Sequence, residues 1–296
     1  MSNKIFPCDV CDSDDGEEIQ CISKYTKGAP IHVCRNCGFV YVRERRSFQE
    51  IADTWSNEIY SDNDENRTSA IYTAIRPAIR SRLIYILETI DAELGLKGKS
   101  LCDIGAGEGV FLDYINRLKS DVYVFGIEPS KANCELMTQL DIDNFPGTIE
   151  EYIFSLNKTS EKFDVVTISW TLEDCQDCKV MLNAANNLLK PGGHLVIGTG
   201  SRILVPYKKP LDYYVGPGEQ DTHCFRFSPN SLSNLMKRTG FLPVYTNRYI
   251  DQDVLCMIGQ KDSAADSLAI EKDNYQEVID YFERWDFETD RYFNEK

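Results

Sequence analysis

Apolar positions in the middle of this chain alternate between short continuous runs and helix-spaced stripes. Phe163-Asp164-Val165-Val166-Thr167-Ile168-Ser169 is such a run, too short for a helix and rich in β-branched residues, and reads as a buried strand. The stripe Ile71, Ile75, Ile79, Leu83, Ile86, Leu87 and Ile90 predicts a helix over Thr68–Leu94, kinked or divided at Pro77. After the turn Lys97-Gly98-Lys99, strand Ser100–Ile104 precedes helix Glu108–Leu118, and strand Val122–Ile127 precedes helix Lys131–Leu140. A weak strand near Asn144–Pro146 leads to a short helix around Ile149–Ser155. Strand Phe163–Ser169 is followed by helix Lys179–Leu189, which Lys190-Pro191-Gly192-Gly193 ends before strand His194–Thr199. This rhythm means an α/β fold, a parallel sheet with right-handed crossovers and helices on both faces.

The flanks follow other rules. Residues 1–45 read as short strands and turns around four cysteines, and 46–66 as polar loop. Downstream, Ser201–Phe227 is a Pro- and Gly-punctuated insertion, and Ser228-Pro229-Asn230-Ser231 caps a helix to Arg238. Strands around Leu242–Tyr249 and Val254–Gly259 are close enough to pair as an antiparallel hairpin. Beyond Lys261 an acidic tail spaces Tyr275, Ile279, Phe282 and Trp285 as one apolar helical face.

Composition narrows the function classes. The net charge of −15 argues against nucleic-acid binding, which draws its affinity from basic side chains. No apolar run approaches the roughly 18 residues of a membrane span, and no apolar signal core opens the chain. A cytoplasmic location is therefore expected. In that setting paired cysteine spacing points to metal before disulfides. Cys8-x-x-Cys11 and Cys34-x-x-Cys37-Gly38 form two knuckles whose thiolates match tetrahedral, structural Zn2+. Closed four-sulfur ligation leaves no open position for catalysis. Cys175-x-x-Cys178 lacks a second pair and reads as incidental, while His32 and His194 read as structural.

Candidate chemistry concentrates in Asp103-Ile104-Gly105-Ala106-Gly107-Glu108-Gly109, where a strand ends in an acid and alternate glycines lead into a helix. Such a loop lets backbone lie close to a ligand. The acid repels a pyrophosphate and suits a cofactor with a cationic amino-acid end; a ligand-free structural turn is the competing reading.

In order, the glycine loop, Gly126-Ile127-Glu128-Pro129-Ser130, Phe163-Asp164-Val165-Val166 and Leu188-Leu189-Lys190-Pro191-Gly192-Gly193 resemble the class I S-adenosylmethionine-dependent methyltransferases over residues 68–260. The resemblance implies a Rossmann-like, seven-stranded, mostly parallel sheet with its last strand antiparallel. It implies cofactor contacts from Asp103, Gly105, Ala106, Gly107, Gly109, Glu128, Pro129, Thr148, Ile149, Ser169 and Trp170, with Glu128 on the ribose hydroxyls. With a zinc ribbon ahead, the chain is similar to bacterial sugar C-methyltransferases and polysaccharide-modifying relatives. That likeness implies a nucleotide-linked or surface-polysaccharide sugar as acceptor, with O-, N- and C-methylation all open. His223, in Asp221-Thr222-His223-Cys224-Phe225-Arg226-Phe227-Ser228-Pro229, is the implied base, and Tyr60 a hydrogen-bond partner of the acceptor or an acid–base helper. Arg226 and the pair Lys208-Lys209 are candidates for a phosphate. Leu172-Glu173-Asp174 replaces the Leu-Glu-His of many relatives, removing one histidine from the acceptor side.

The expected division is a zinc ribbon (1–45), a linker and helical cap (46–97), the methyltransferase core (98–261) and an acidic helical tail (262–296), which could join a homodimer. Another small-metabolite methyltransferase, and a cofactor-binding interaction protein without turnover, are the rival readings.

Overall fold

A computed structural model describes residues 4–26, 30–59, 77–119, 121–156, 162–206, 209–215 and 223–294. In the N-terminal region the strands are β1 (Lys4–Ile5), β2 (Gly16–Glu18), β3 (Ile31–Cys34), β4 (Val40–Val42) and β5 (Glu44–Arg45). Helix α1 (Phe48–Asp53) follows, started by a capping box in which the Ser47 hydroxyl and the Glu50 carboxylate each accept from the other's backbone N–H. Helix α2 is described over Pro77–Leu94; the earlier part of the predicted helix, and any kink at Pro77, lie outside the described residues.

Strands and helices then alternate: β6 (Ser100–Ile104), α3 (Val110–Leu118), β7 (Tyr123–Glu128), α4 (Lys131–Gln139), β8 (Asp143–Pro146), α5 (Ile149–Ser155), β9 (Phe163–Ser169), α6 (Cys178–Leu188) and β10 (Leu189–Thr199). Next come α7 (Leu211–Val215), β11 (Phe225–Arg226), α8 (Pro229–Arg238), β12 (Phe241–Thr246), β13 (Leu255–Lys261) and α9 (Tyr275–Thr289). The seven-stranded sheet runs β12-β13-β10-β9-β6-β7-β8, and β13 lies antiparallel both to β10 and to β12. Pro191-Gly192-Gly193 does not end the strand pairing. It forms a bulge inside β10, where the register to β9 shifts between Leu189 and His194.

Period-2 alternation sends successive side chains to opposite faces. Leu101, Val124, Val165 and Val196 meet α2, α3 and α4 on one face. Cys102, Ile127, Val166, Leu195 and Ile197 meet α6 and α8 on the other. Both faces are thus covered, as a parallel sheet requires. Chain order reverses at β6: β7 and β8 extend the sheet one way, and β9 returns on its other side. The crevice at such a reversal is where open α/β sheets take ligands.

The small module departs from the expected boundaries. Its sheet runs β2-β3-β4-β11, and β11 comes from the far side of the core sequence. Phe39 and Tyr41 face the main core, while Val40 and Val42 face a second apolar cluster containing Val278, Phe282 and Trp285 of α9. The expected cuts at 45 and 261 therefore run through a shared sheet and a shared core. So short a segment cannot bury enough apolar surface alone and borrows both of its covers.

Candidate active site

A cavity of about 620 Å3 opens at the ends of β6, β7 and β9, within the size range of small-molecule sites. Along its floor runs the glycine loop. The N–H groups of Gly105 and Ala106 donate to the Ile127 carbonyl at 2.8 and 3.1 Å, which ties the loop to the end of β7. Gly105 has φ +73° and lies against the Thr171 side chain with no room for a Cβ. Its neighbours Asp103, Ala106 and Gly107 also line the cavity. Gly109 does not: it caps α3 in the left-handed region, and Met137 fills the space a Cβ would need. Helix packing by itself demands glycine at this position.

Glu128 also lines the cavity. Its Oε2 accepts from the Gly107 N–H and its Oε1 from the Ser130 N–H, both at 2.9 Å, with Asn133 Nδ2 at 3.5 Å. Burial pushes its carboxyl up, and these hydrogen bonds hold it back. Oxygen lone pairs remain for a ligand. Asp103 is 3 % exposed, and burial raises its carboxyl to about 7, with the Glu128 charge adding to the rise. The Thr167 hydroxyl, donating at 2.6 Å, works against it.

Pro129 and Ile149 lie on the same wall as Glu128, beside Thr148, whose side chain is already engaged as the capping box of α5. Ser169 places a buried hydroxyl oxygen at the cavity without a hydrogen-bond partner among the described residues. Trp170 sits at φ +53°, rare for an aromatic residue, with its backbone N–H donating to the Gly198 carbonyl at 2.8 Å. The glycine cradle, the paired acids and this orphaned hydroxyl fit a nucleoside with a cationic amino-acid end.

Facing this wall are Phe48, Ile51 and Ala52 of α1, Trp55, and Ile79, Arg82 and Leu83 of α2. A third side is the connection after β9, where Asp174 lines the cavity. His223 does not line it. Its Nε2 lies 4.0 Å from Asp174 Oδ1, and its Nδ1 lies 2.9 Å from the Ser201 hydroxyl. The expected base therefore stands behind Asp174, on the side where the Leu-Glu-His histidine was missing.

Backbone contacts fix that arrangement. The N–H groups of Cys224 and Phe225 both donate to the Glu173 carbonyl, at 2.7 and 3.2 Å, and the Val42 N–H donates to the Cys224 carbonyl. Glu173 itself is buried, and burial pushes its carboxyl up to about 7 against the pull of Thr199. Arg226, a candidate for phosphate, is fully buried and donates to the His223 carbonyl at 3.3 Å. Packing of β11 against the module takes it away from solvent and from the cavity. Lys209 lies over the Tyr213 and Tyr214 rings. Tyr60 and Lys208 lie outside the described residues.

In the small module the sulfurs of Cys8, Cys11, Cys34 and Cys37 all lie within 4.8 Å of one another. The pairs Cys8–Cys37 and Cys11–Cys34 are 3.5 Å apart, near the edge of about 3.8 Å that four Zn–S bonds of about 2.3 Å would set in a tetrahedron. Hydrogen bonds within the cluster pull the Cys11 thiol down and push those of Cys8 and Cys37 up. All eleven cysteines are free, and Cys175 and Cys178 are buried. Beside the cluster, Arg45 forms a buried two-pronged pair with Asp9, at 3.0 and 2.6 Å, and donates to the Gln176 carbonyl at 2.9 Å. Gln176 lines the cavity, so this arginine links the metal-type cluster to the cavity wall.

Sequence reasoning missed Thr167, Asp174 and Arg82, whereas Trp55 opens the segment Trp55–Ser61 that the sugar-methyltransferase resemblance placed over the acceptor. Of the three missed, only Asp174 carried a signal, as the acid in place of an expected histidine; the other two meet the site through folding alone.

Comparison with known proteins agrees with this geometry. The family model described as a methyltransferase domain matches residues 76–246, more than half of the chain. The chain is 28 % identical over 237 residues to a ubiquinone biosynthesis O-methyltransferase of Actinobacillus pleuropneumoniae, covering 72 % of this chain and 94 % of that one. It is 26 % identical over 218 residues to the mitochondrial ubiquinone biosynthesis O-methyltransferase of Rattus norvegicus, covering 67 % of this chain but only 59 % of the relative. Among solved structures, the fold resembles 1,6-didemethyltoxoflavin-N1-methyltransferase of Burkholderia thailandensis, bound to 1,6-didemethyltoxoflavin and S-adenosylhomocysteine. There the TM-score is 0.52 at 16 % identity, over 76 % of this chain and 96 % of that one.

Proposed function

The chain belongs to the methyltransferase domain family, and we propose that it transfers a methyl group from S-adenosylmethionine to a hydroxyl of a small acceptor with an apolar ring. The observation that carries this reading is one cavity shared by Asp103, Gly105, Glu128 and the unpartnered hydroxyl of Ser169. Glu128 would take the ribose hydroxyls on its remaining lone pairs, and Asp103 the ammonium. Gly105, Ala106 and Gly107 would lie along the methionyl chain, Pro129, Thr148 and Ile149 near the base, and Ser169 and Trp170 beneath the sulfur. When bound, S-adenosylmethionine supplies a methyl on a cationic sulfur, which becomes a neutral thioether as the C–S bond breaks and the O–C bond forms.

Removal of the acceptor proton falls to Asp174 in this reading, with His223 as its positioning residue. Ser201 is fully buried, and His223 Nδ1 is the one partner described for its hydroxyl. In this reading the hydroxyl donates to Nδ1, which leaves the neutral ring's hydrogen on Nε2, on the Asp174 side. The ring stands 4.0 Å from the carboxylate, close enough to hold its orientation by packing, and the carboxylate takes the proton as the acceptor oxygen attacks the methyl carbon.

An apolar ring fits the wall of Phe48, Ile51, Trp55 and Trp170 better than a bare sugar does. Relatives named for ubiquinone biosynthesis point the same way. The nucleotide-sugar acceptor remains the rival within this proposal. We further assign a structural zinc to Cys8, Cys11, Cys34 and Cys37, where four thiolates stand close enough to need a shared cation.

Calorimetry with S-adenosylmethionine, followed by a product assay on catechols and on nucleotide-linked sugars, tests the reading. Methylated catechol is the expected result. Methylated sugar would restore the rival acceptor, and absence of cofactor binding would overturn the function.

A further inference from the structure

Residues 269–273, just ahead of α9, belong to no helix or strand, yet they are tied down along α8. The Ala269 carbonyl accepts from Lys237 Nζ at 3.1 Å. Asn234 and Glu271 bond reciprocally: the side-chain NH2 donates to the Glu271 carbonyl at 2.7 Å, and the Glu271 N–H donates to the side-chain oxygen at 3.0 Å. Asp273 ends the run on the first turn of α8, where its carboxylate accepts from the Ser228 hydroxyl and from Asn230 Nδ2. Asn234 is only 1 % exposed, so its amide is committed to this strap in a place without water.

The strap ends on the second cysteine knuckle. The Asp273 N–H donates to the Cys37 carbonyl at 3.2 Å, and Lys272 Nζ donates to Asn36 Oδ1 at 2.8 Å. Gly38 permits this approach. Its φ is +76°, and a Cβ there would stand 2.6 Å from both the Cβ and the carbonyl oxygen of Asp273. Within the cluster Cys8, Cys34 and Cys37 are buried, and Cys11 is partly exposed. A zinc held by four thiolates is lost one sulfur at a time. Cys11 is the open end, and the metal departs only when the second knuckle also gives way. Opening that knuckle at Cys37 means lifting it off the strap.

We propose that residues 271–273 form a clasp that retains the zinc, by holding the second knuckle shut against α8. The proposal rests on the zinc assignment made above and deepens it. It gives the acidic tail a task besides covering the module: α9 buries the back of the small sheet, and the segment before it locks the metal end.

The test uses the whole chain, with zinc content fixed by elemental analysis, mixed with a chromogenic chelator below its melting midpoint. Asp273→Ala and Asn234→Leu cut the clasp at its two ends. Each is expected to speed zinc transfer by about tenfold or more, because charged or buried hydrogen bonds must break in the local opening. Asp273→Asn keeps one acceptor oxygen and should fall between. Lys272→Met, an exposed change that spares the fold, should speed transfer about twofold. Lys24→Met frees the module from Asp286 and Asp290 on its other side and should leave the rate within about twofold. Wild-type rates in the folded clasp variants, or equal acceleration by Lys24→Met, overturn the clasp. Protein that neither carries nor takes up zinc sinks the zinc assignment itself, an outcome visible before any variant is made.

Discussion

The two walls of the cavity are built by opposite strategies. On the cofactor side, Asp103 to Gly107 and Glu128 to Ser130 are two unbroken stretches at the ends of adjacent parallel strands, paired in register at Asp103↔Gly126 and Ile104↔Ile127. Backbone hydrogen bonds join them directly, from Gly105 and Ala106 to Ile127 and from Gly107 to Glu128. On the acceptor side, Asp174, Ser201 and His223 come from three separate connections. Their alignment depends on β11 pairing with β4 of the four-cysteine module and on Arg45 reaching Gln176. One wall is a local product of sheet register; the other is held from outside the sheet. The two should therefore fail separately.

Removing the metal-type cluster gives the largest separation. Structural zinc contributes on the order of 10 kcal/mol of apparent binding energy to small modules that hold it. Cys34→Ser, or a chelator, should loosen residues 172–176 and 223–226, read as faster amide exchange, and abolish product formation. Affinity for S-adenosylhomocysteine should stay within about threefold, because the glycine loop rests on the main sheet. A proportionate loss of cofactor affinity would show that the walls are one unit. Arg45→Met comes next. It strands Asp9, whose side chain is 2 % exposed, without its partner, and breaking a buried pair from one side costs about 3–5 kcal/mol. The melting midpoint should fall by about 10 °C, and Asp9→Leu in the same chain should recover much of it. A double variant no more stable than the single would refute the pairing argument.

The same contrast explains what the sequence reveals. Strands β6, β7, β9 and β10, and the buried face of α9, are legible because period-2 and 3.6-residue patterns record burial locally. Asp103 and Glu128 meet in one cavity because each ends a strand and the two strands are neighbours. Nothing local announces that Phe225 and Arg226 join a sheet begun about two hundred residues earlier, that Arg82 lines the same cavity as the glycine loop, or that His223 stands behind Asp174. Those relations come from long-range packing, which a one-dimensional pattern does not encode. Gly109 shows the converse, a motif position where helix packing also calls for glycine.

On the cofactor side the effects should be smaller and confined to binding. Glu128→Gln keeps the shape, yet it turns one acceptor oxygen into an NH2 facing the N–H groups of Gly107 or Ser130. Loss of a charge-assisted pair should weaken S-adenosylhomocysteine by about tenfold to a hundredfold in calorimetry. Amide exchange at 223–226 should not move. Exchange that speeds up there would couple the walls through the sheet and blur the distinction.

The smallest effect is a pH dependence centred on Asp103. Burial raises its carboxyl to about 7, so near neutrality the unliganded protein holds it as a mixture of acid and carboxylate. Only the carboxylate pairs with an ammonium, whose own ionisation lies near 8. Binding thus draws Asp103 into its charged form and expels a proton. The sign follows: cofactor affinity is low where Asp103 is protonated and climbs as pH rises toward its pKa. Between pH 5.5 and 7 the gain should be about tenfold, with proton release visible as a dependence of binding enthalpy on the buffer. Glu128 is also pushed up by burial and faces the same hollow, so the profile alone would not identify the titrating group. Asp103→Asn does, because it should flatten the slope while Glu128 remains. A slope that survives in Asp103→Asn would move the ammonium contact to the Glu128 side of the cavity. A flat wild-type profile would mean that neither buried acid changes its charge when the ligand enters.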